Sequence, residues 1–134
     1  MDGFHPLLPI LALFLLQAKH LGIDWIWQPA YEHQNKHIFG HWGGIRHAGK
    51  NAIGTALALW VGFAFGVPHW LVLALAVLDF VVHYLTDLSK TNLNRYMGYG
   101  PLTHPQFWWL TGADQFVHQI TYLGLVALII MQSA

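Results

Sequence analysis

Cysteine is absent, which excludes disulfide scaffolds, thiolate metal sites and cysteine nucleophiles together. Serine is nearly absent: Ser89 and Ser133 are the only two, and neither has a triad setting. No glycine-rich phosphate loop occurs, because Gly43-Gly44 lacks the following Lys and Ser or Thr. Charge is scarce as well. Asp, Glu, Lys and Arg make up 9% of the chain, against about 25% in an ordinary soluble domain. Six basic residues balance six acidic ones, so no basic surface exists to neutralise phosphates, and nucleic acid is set aside as a partner. What the 134 residues do contain is apolar side chain, at 55%, and ten histidines. This composition reads as one domain whose solvent is the lipid bilayer.

The charges are clustered. None falls between Gly3 and Ala18, between Asn51 and Leu78, or after Asp114. The middle stretch stays apolar to Val82 apart from Asp79, too long for one crossing of a core about 30 Å thick, which needs about 20 residues. Gly66-Val67-Pro68 supplies a break and a tight hairpin. The expectation is an all-α fold, a single four-helix transmembrane domain with helices at about 6–27, 47–65, 68–90 and 112–132. An acidic start at Met1-Asp2 and no small-residue cleavage pattern before Lys19-His20 argue for the first helix as a retained span. Lys36, Arg46, Lys50, Lys90 and Arg95 all belong to the first and third connections or their edges. The positive-inside bias therefore puts those connections in the cytoplasm of a bacterial inner membrane and both termini outside. Trp25, Trp27, Tyr31, Trp42, Phe107, Trp108 and Trp109 crowd the same boundary, where amphipathic rings prefer to sit.

Charged groups in spans cost about 2.5–3.5 kcal/mol each at mid-membrane, so each needs a reason. Here polar groups come in i, i+4 pairs: His20 with Asp24, His47 with Asn51, His83 with Asp87, and Asp114 with His118. That spacing puts both members on one helix face, one turn apart. Alternating helix direction sorts them into a shallow ring of Asp24, His47, Asp87 and Asp114 and a deeper one of His20, Asn51, His83 and His118. Three explanations fit such a layer. It can be a hydrogen-bonded network holding the helices together. It can be a metal site with His20, Asp24, His47, His83, Asp87, Asp114 and His118 as candidate ligands, a donor set suited to Zn²⁺ ahead of Fe²⁺ or Mn²⁺. It can be a proton or ion relay. Seven candidates exceed the four that one tetrahedral Zn²⁺ accepts, so either two ions share the site or some carboxylates orient the imidazoles from behind.

Asp79, a turn beyond His83, reads as a hydrogen-bonded carboxyl near Thr55 or Tyr122 and is not counted as a ligand. His5, His69 and His104 read as solvated or interfacial. His33, His37 and His41, spaced i, i+4, i+8, would form an auxiliary surface metal site if their segment were helical, which Gly40, Gly43 and Gly44 oppose.

The order His20-x3-Asp24 with Gln28, His47-Ala48, His83-x3-Asp87 with Lys90, and Asp114-Gln115-x2-His118 resembles a family of small bacterial and phage membrane proteins known as a domain of unknown function. The likeness spans all four expected helices; the aromatic-rich stretch from Tyr99 to Trp109 departs from it. The resemblance implies the fold and the place of the site, and no reaction. Three functions follow as expectations. One is a metal-dependent hydrolase of a lipid-like or phosphoester substrate, with Asp114 as general base or bridging carboxylate and Lys90 or Arg95, or Arg46 and Lys50 from the second helix, as the binder of the substrate anion. Another is a structural or accessory subunit of a larger membrane assembly or homo-oligomer. The third is metal or proton transport.

Overall fold

The computed structural model describes residues 5–133, and the Met1-Asp2 start lies outside them. The described residues form helices and connections, with no strand. They run α1 (Leu7–His20), a π-helical turn (Leu21–Ile26), a short α2 (Ala30–Asn35), α3 (Trp42–Gly62), α4 (His69–Met97) and α5 (Pro105–Ser133). Three segments are long and apolar enough to cross a membrane: Leu7–Ile26, His69–Met97 and Pro105–Ser133. The 21-residue α3 is not among them, because Arg46, His47, Lys50 and Asn51 and its glycines dilute its apolar character.

The helix limits differ from expectation for identifiable reasons. The start of α3 moves back from His47 to Trp42 because the His41 imidazole caps it, its Nδ1 accepting from the Gly43 N–H at 3.1 Å. Nothing interrupts α4 at Lys90, and it runs on to Met97, where Gly98 takes a left-handed conformation (φ 68°) and closes the end. Pro105, at the first position of α5, starts that helix a full two turns before Gly112. Each of the last two helices has 29 residues, about 43 Å at 1.5 Å per residue, and so outreaches a 30 Å hydrocarbon core by about 13 Å. The hairpin between α3 and α4 turns earlier than Gly66: Ala64 (φ 51°) and Phe65 (φ 61°) take the left-handed conformation, and buried Phe63 and Val67 pack beneath it.

The four long helices touch in a cycle, α1 on α3, α3 on α4, α4 on α5 and α5 back on α1, while α2 lies on α3. Close approach of α1 and α3 is permitted by Gly62, where a Cβ would stand 2.4 Å from the Ala12 Cα. Ala12, Leu16, Leu59, Phe63, Val72, Leu75, Val126 and Ile129 form a dry core toward the Phe63–Pro68 turn. Outward, Leu7, Phe14, Ile53, Leu57, Val77, Val81, Phe116 and Ile120 are exposed, while His20, Asn51, Asp79, His83, Asp87 and His118 are buried. Apolar groups outside and ionisable ones inside invert the soluble pattern and suit a lipid surround.

Candidate metal centre

The centre is assembled from the π-helical turn, α3 and α4. A π-helical turn closes i→i+5 bonds, here Trp27 N–H to the Gly22 carbonyl at 2.8 Å, and such turns recur at functional sites because they re-aim side chains. This one carries Asp24. Its Oδ1 lies 3.2 Å from His47 Nε2 and 3.5 Å from His83 Nε2. The two imidazole Nε2 atoms are 3.2 Å apart. Asp87 Oδ2 stands 3.3 Å from His47 Nε2 and 3.7 Å from His83 Nε2. The three donor atoms Asp24 Oδ1, His47 Nε2 and His83 Nε2 are thus 3.2–3.5 Å from one another. Four ligands about 2.0–2.2 Å from a tetrahedral ion would be about 3.3–3.6 Å apart. Two groupings could hold a metal ion, Asp24 with His47 and His83, and His83 with Asp87 and His118; they share His83 alone, and Asp24 and Asp87 do not fall in one grouping.

Support from behind is present. Glu32 of α2, fully buried, places Oε2 3.4 Å from His47 Nδ1, the carboxylate–imidazole arrangement that orients metal-binding histidines. Asn51 Nδ2 donates to Asp24 Oδ1 at 2.8 Å and lies 3.1 Å from His83 Nε2. The His118 ring stacks on His83 with centroids 4.1 Å apart, and neither ring nitrogen of His118 has a hydrogen-bond partner.

Charge is balanced pair by pair, with one exception. Lys36 Nζ meets Asp87 Oδ2 at 3.1 Å, Lys90 meets Asp114 at 3.3 Å, Lys19 meets Asp79 at 3.2 Å, and Lys50 meets Glu32 at 2.7 Å. Among the described residues Asp24 alone has no Lys or Arg partner; its neighbours are His20, His47 and His83. A carboxylate so placed needs a cation, either a protonated imidazole or a metal ion.

The remaining expected residues lie beside this group. His20 lies beside the cluster, Nδ1 at 3.1 Å from Asp24 Oδ2 and 2.9 Å from the Tyr122 hydroxyl and Nε2 at 2.7 Å from Gln115 Oε1, and belongs to neither candidate grouping. Nor does Asp114, which lies 3.3 Å from His118 Nε2 and pairs with Lys90. Asp79 accepts from the Thr55 hydroxyl at 2.6 Å and is paired to Lys19, a partner the sequence reading did not give it. His33, His37 and His41 share no helix, since α2 ends at Asn35, and they are not among the groupings that could hold a metal. Sequence reasoning also missed Lys36 and Glu32 as buried partners. Their signal is two charges four residues apart on either side of His33, at the spacing that puts both on one helix face.

A cleft of about 500 Å³ opens onto the centre, within the size range of small-ligand sites. Asp24, Asp87 and Asp114 line its floor, Lys36 and Lys90 its edge, and Trp25, Phe107 and Trp108 its walls. His33 also lines it; partial burial, and then the Lys36 ammonium, hold this imidazole below its ordinary pKa, so it is neutral near pH 7. Comparison with known proteins gives no match: no family model fits the chain, and no curated protein or solved structure is similar to it.

Proposed function

We propose that the chain is a four-helix integral protein of the bacterial inner membrane that holds a divalent transition metal near the cytoplasmic face and hydrolyses an ester or phosphoester of a lipid-like substrate. The observation that carries the metal is the clustering of Asp24 Oδ1, His47 Nε2 and His83 Nε2 at 3.2–3.5 Å, the Asp24 carboxylate having no Lys or Arg partner among the described residues. Imidazole nitrogens together with a carboxylate oxygen favour Zn²⁺ over Fe²⁺ or Mn²⁺. In support of α3 as the fourth span, its 21 residues reach about 31 Å and present exposed Ile53, Leu57 and Val61 along one face. Four spans put both termini on the non-cytoplasmic side. The likeness to the small bacterial and phage membrane proteins rests on the spacing of the His and Asp pairs.

A bound divalent ion would bring the pKa of a water toward about 7. The chain's own groups do the rest. His47 is oriented by Glu32, and Asp114 at the cleft floor is placed to accept the proton of the attacking water. Lys90, which also lines the cleft, offers a cation to the substrate anion.

Elemental analysis of detergent-purified protein, beside a folded His83→Ala/Asp87→Ala variant, tests the metal. One or two equivalents in the wild type and none in the variant are expected; no metal in either, after purification without chelator, leaves the layer as the network that holds the helices together. Turnover on a panel of phospholipids and phosphomonoesters, lost on chelation and restored by the metal, then tests the reaction.

A further inference from the structure

Three cavities meet at one side chain. Lys90 lines the acidic cleft over the metal centre, a second cleft of about 480 Å³ beside it, and a lateral groove of about 370 Å³ between α4 and α5. The second cleft is basic: Lys36, Lys90 and Arg95 line it together with His37 and Tyr99. Arg95 is exposed and, unlike the other five Lys and Arg residues, has no ion pair among the described residues. The lateral groove is mostly apolar, with Leu85 and Val117 toward the membrane interior, Leu93 and Leu110 toward the cytoplasmic end, and the Lys90–Asp114 pair between them.

Depth relates the three. Counting about 20 residues of hydrocarbon from His69 places the inner boundary near Leu88. Lys90 then stands at headgroup level and Arg95 about 7 Å further out, while Leu85 and Val117 lie in the acyl region. The deeper part of the groove, at Leu85 and Val117, therefore faces the inner leaflet where a lipid tail lies, and Lys90 stands in the groove at the level of an anionic headgroup. An unpaired guanidinium is suited to bidentate capture of phosphate oxygens.

We infer that the ligand is a phosphate-bearing lipid of the inner leaflet that enters sideways between α4 and α5, its tail in the Leu85–Val117 groove and its phosphate on Arg95 and Lys90. This deepens the hydrolase reading, because the headgroup then abuts the cleft floored by Asp24, Asp87 and Asp114. Charge complementarity and the continuity of groove and clefts through Lys90 favour this occupant over a soluble phosphoester, which would need no groove.

The test is a phosphorus NMR titration of the full-length protein in an uncharged maltoside micelle, with dodecyl phosphate and inorganic phosphate as probes. A chelator is present throughout, so absence of a metal site leaves the result standing and a failure here leaves the metal site standing. Dodecyl phosphate is expected to bind at least tenfold more tightly than inorganic phosphate. Arg95→Ala should weaken both about tenfold. Ala113→Trp and Leu85→Trp, both at exposed positions and so compatible with the fold, should remove the advantage of the alkyl chain and leave inorganic phosphate unchanged. Equal binding of the two probes would overturn the proposal in favour of a soluble phosphate ligand. An alkyl advantage that survives both Trp substitutions would reduce it to micelle partitioning, and no binding of either probe would remove it.

Discussion

The two ends of the helix assembly are held together by different physics. Toward the Phe63–Pro68 turn, Ala12, Leu16, Leu59, Phe63, Val72 and Ile129 are buried without a polar group among them. Toward the opposite end the same helices bury His20, His47, His83, Asp87, Asp114 and His118. Between the two lies a transition level where Lys19, Thr55, Asp79 and Tyr122 meet. In lipid, apolar side chains gain nothing from leaving water, so the dry end depends on shape, whereas the polar end depends on every group finding its partner. Volume changes should therefore disturb the first most, and charge changes the second.

The boundary level gives the largest expected effect. Asp79 is fully buried against Lys19, and removing one member of a buried pair leaves an uncompensated charge, at about 3–5 kcal/mol. Asp79→Leu should lower thermal stability in detergent by that order, and Asp79→Leu with Lys19→Met should recover most of it. A double variant no better than the single would show that the pair matters through more than its charge. Next comes the dry end. Gly62→Val would drive a side chain into the Ala12 backbone, so an overpacking loss of about 3 kcal/mol is expected, while Gly124→Ala, which meets nothing within 4 Å, should be neutral. Equal effects at the two glycines would mean that the α1–α3 contact is not tight.

Metal removal addresses the polar end directly. A ligand at 100 times its dissociation constant stabilises by about 2.7 kcal/mol. A chelator should therefore lower the melting temperature of the wild type by several degrees and leave that of His83→Ala/Asp87→Ala unmoved. Equal sensitivity in both would place any bound metal elsewhere.

How much of this was legible in the residues follows the same division. The i, i+4 pairs were readable because helical periodicity alone puts His83 over Asp87 and Asp114 near His118. Which of those pairs converge was not readable, since that depends on helix rotation: His20 touches Asp24 but gives its ring nitrogens also to Gln115 and Tyr122 and joins neither candidate grouping. The π-helical turn that aims Asp24 has no local sequence signal, as it comes from packing of the whole segment. The burial of Lys36 and Glu32 was not readable because it depends on α2 folding back onto α3. The extra turns of α4 and α5 were hidden by a 20-residue span length, which describes the lipid and not the helix.

The smallest expected effect tests whether the polar end is compensated locally or as a whole. Glu32 is fully buried, yet two cations reach it: Lys50 at 2.7 Å with a side chain 19% exposed, and Arg46 at 3.4 Å with a side chain 46% exposed. The closer and more buried ammonium should supply most of the compensation, while a half-exposed guanidinium is screened by solvent and contributes about 0–1 kcal/mol. Arg46→Ala should therefore shift the melting temperature by no more than a degree or two and leave metal content intact. Lys50→Ala should do more, because Glu32 then loses its nearest cation and its hold on His47 Nδ1 changes with it. If Arg46→Ala proved as damaging as Lys50→Ala, compensation at the polar end would be shared across the α2–α3 surface, and the pairwise contrast between the two ends of the molecule would fail at its weakest contact first.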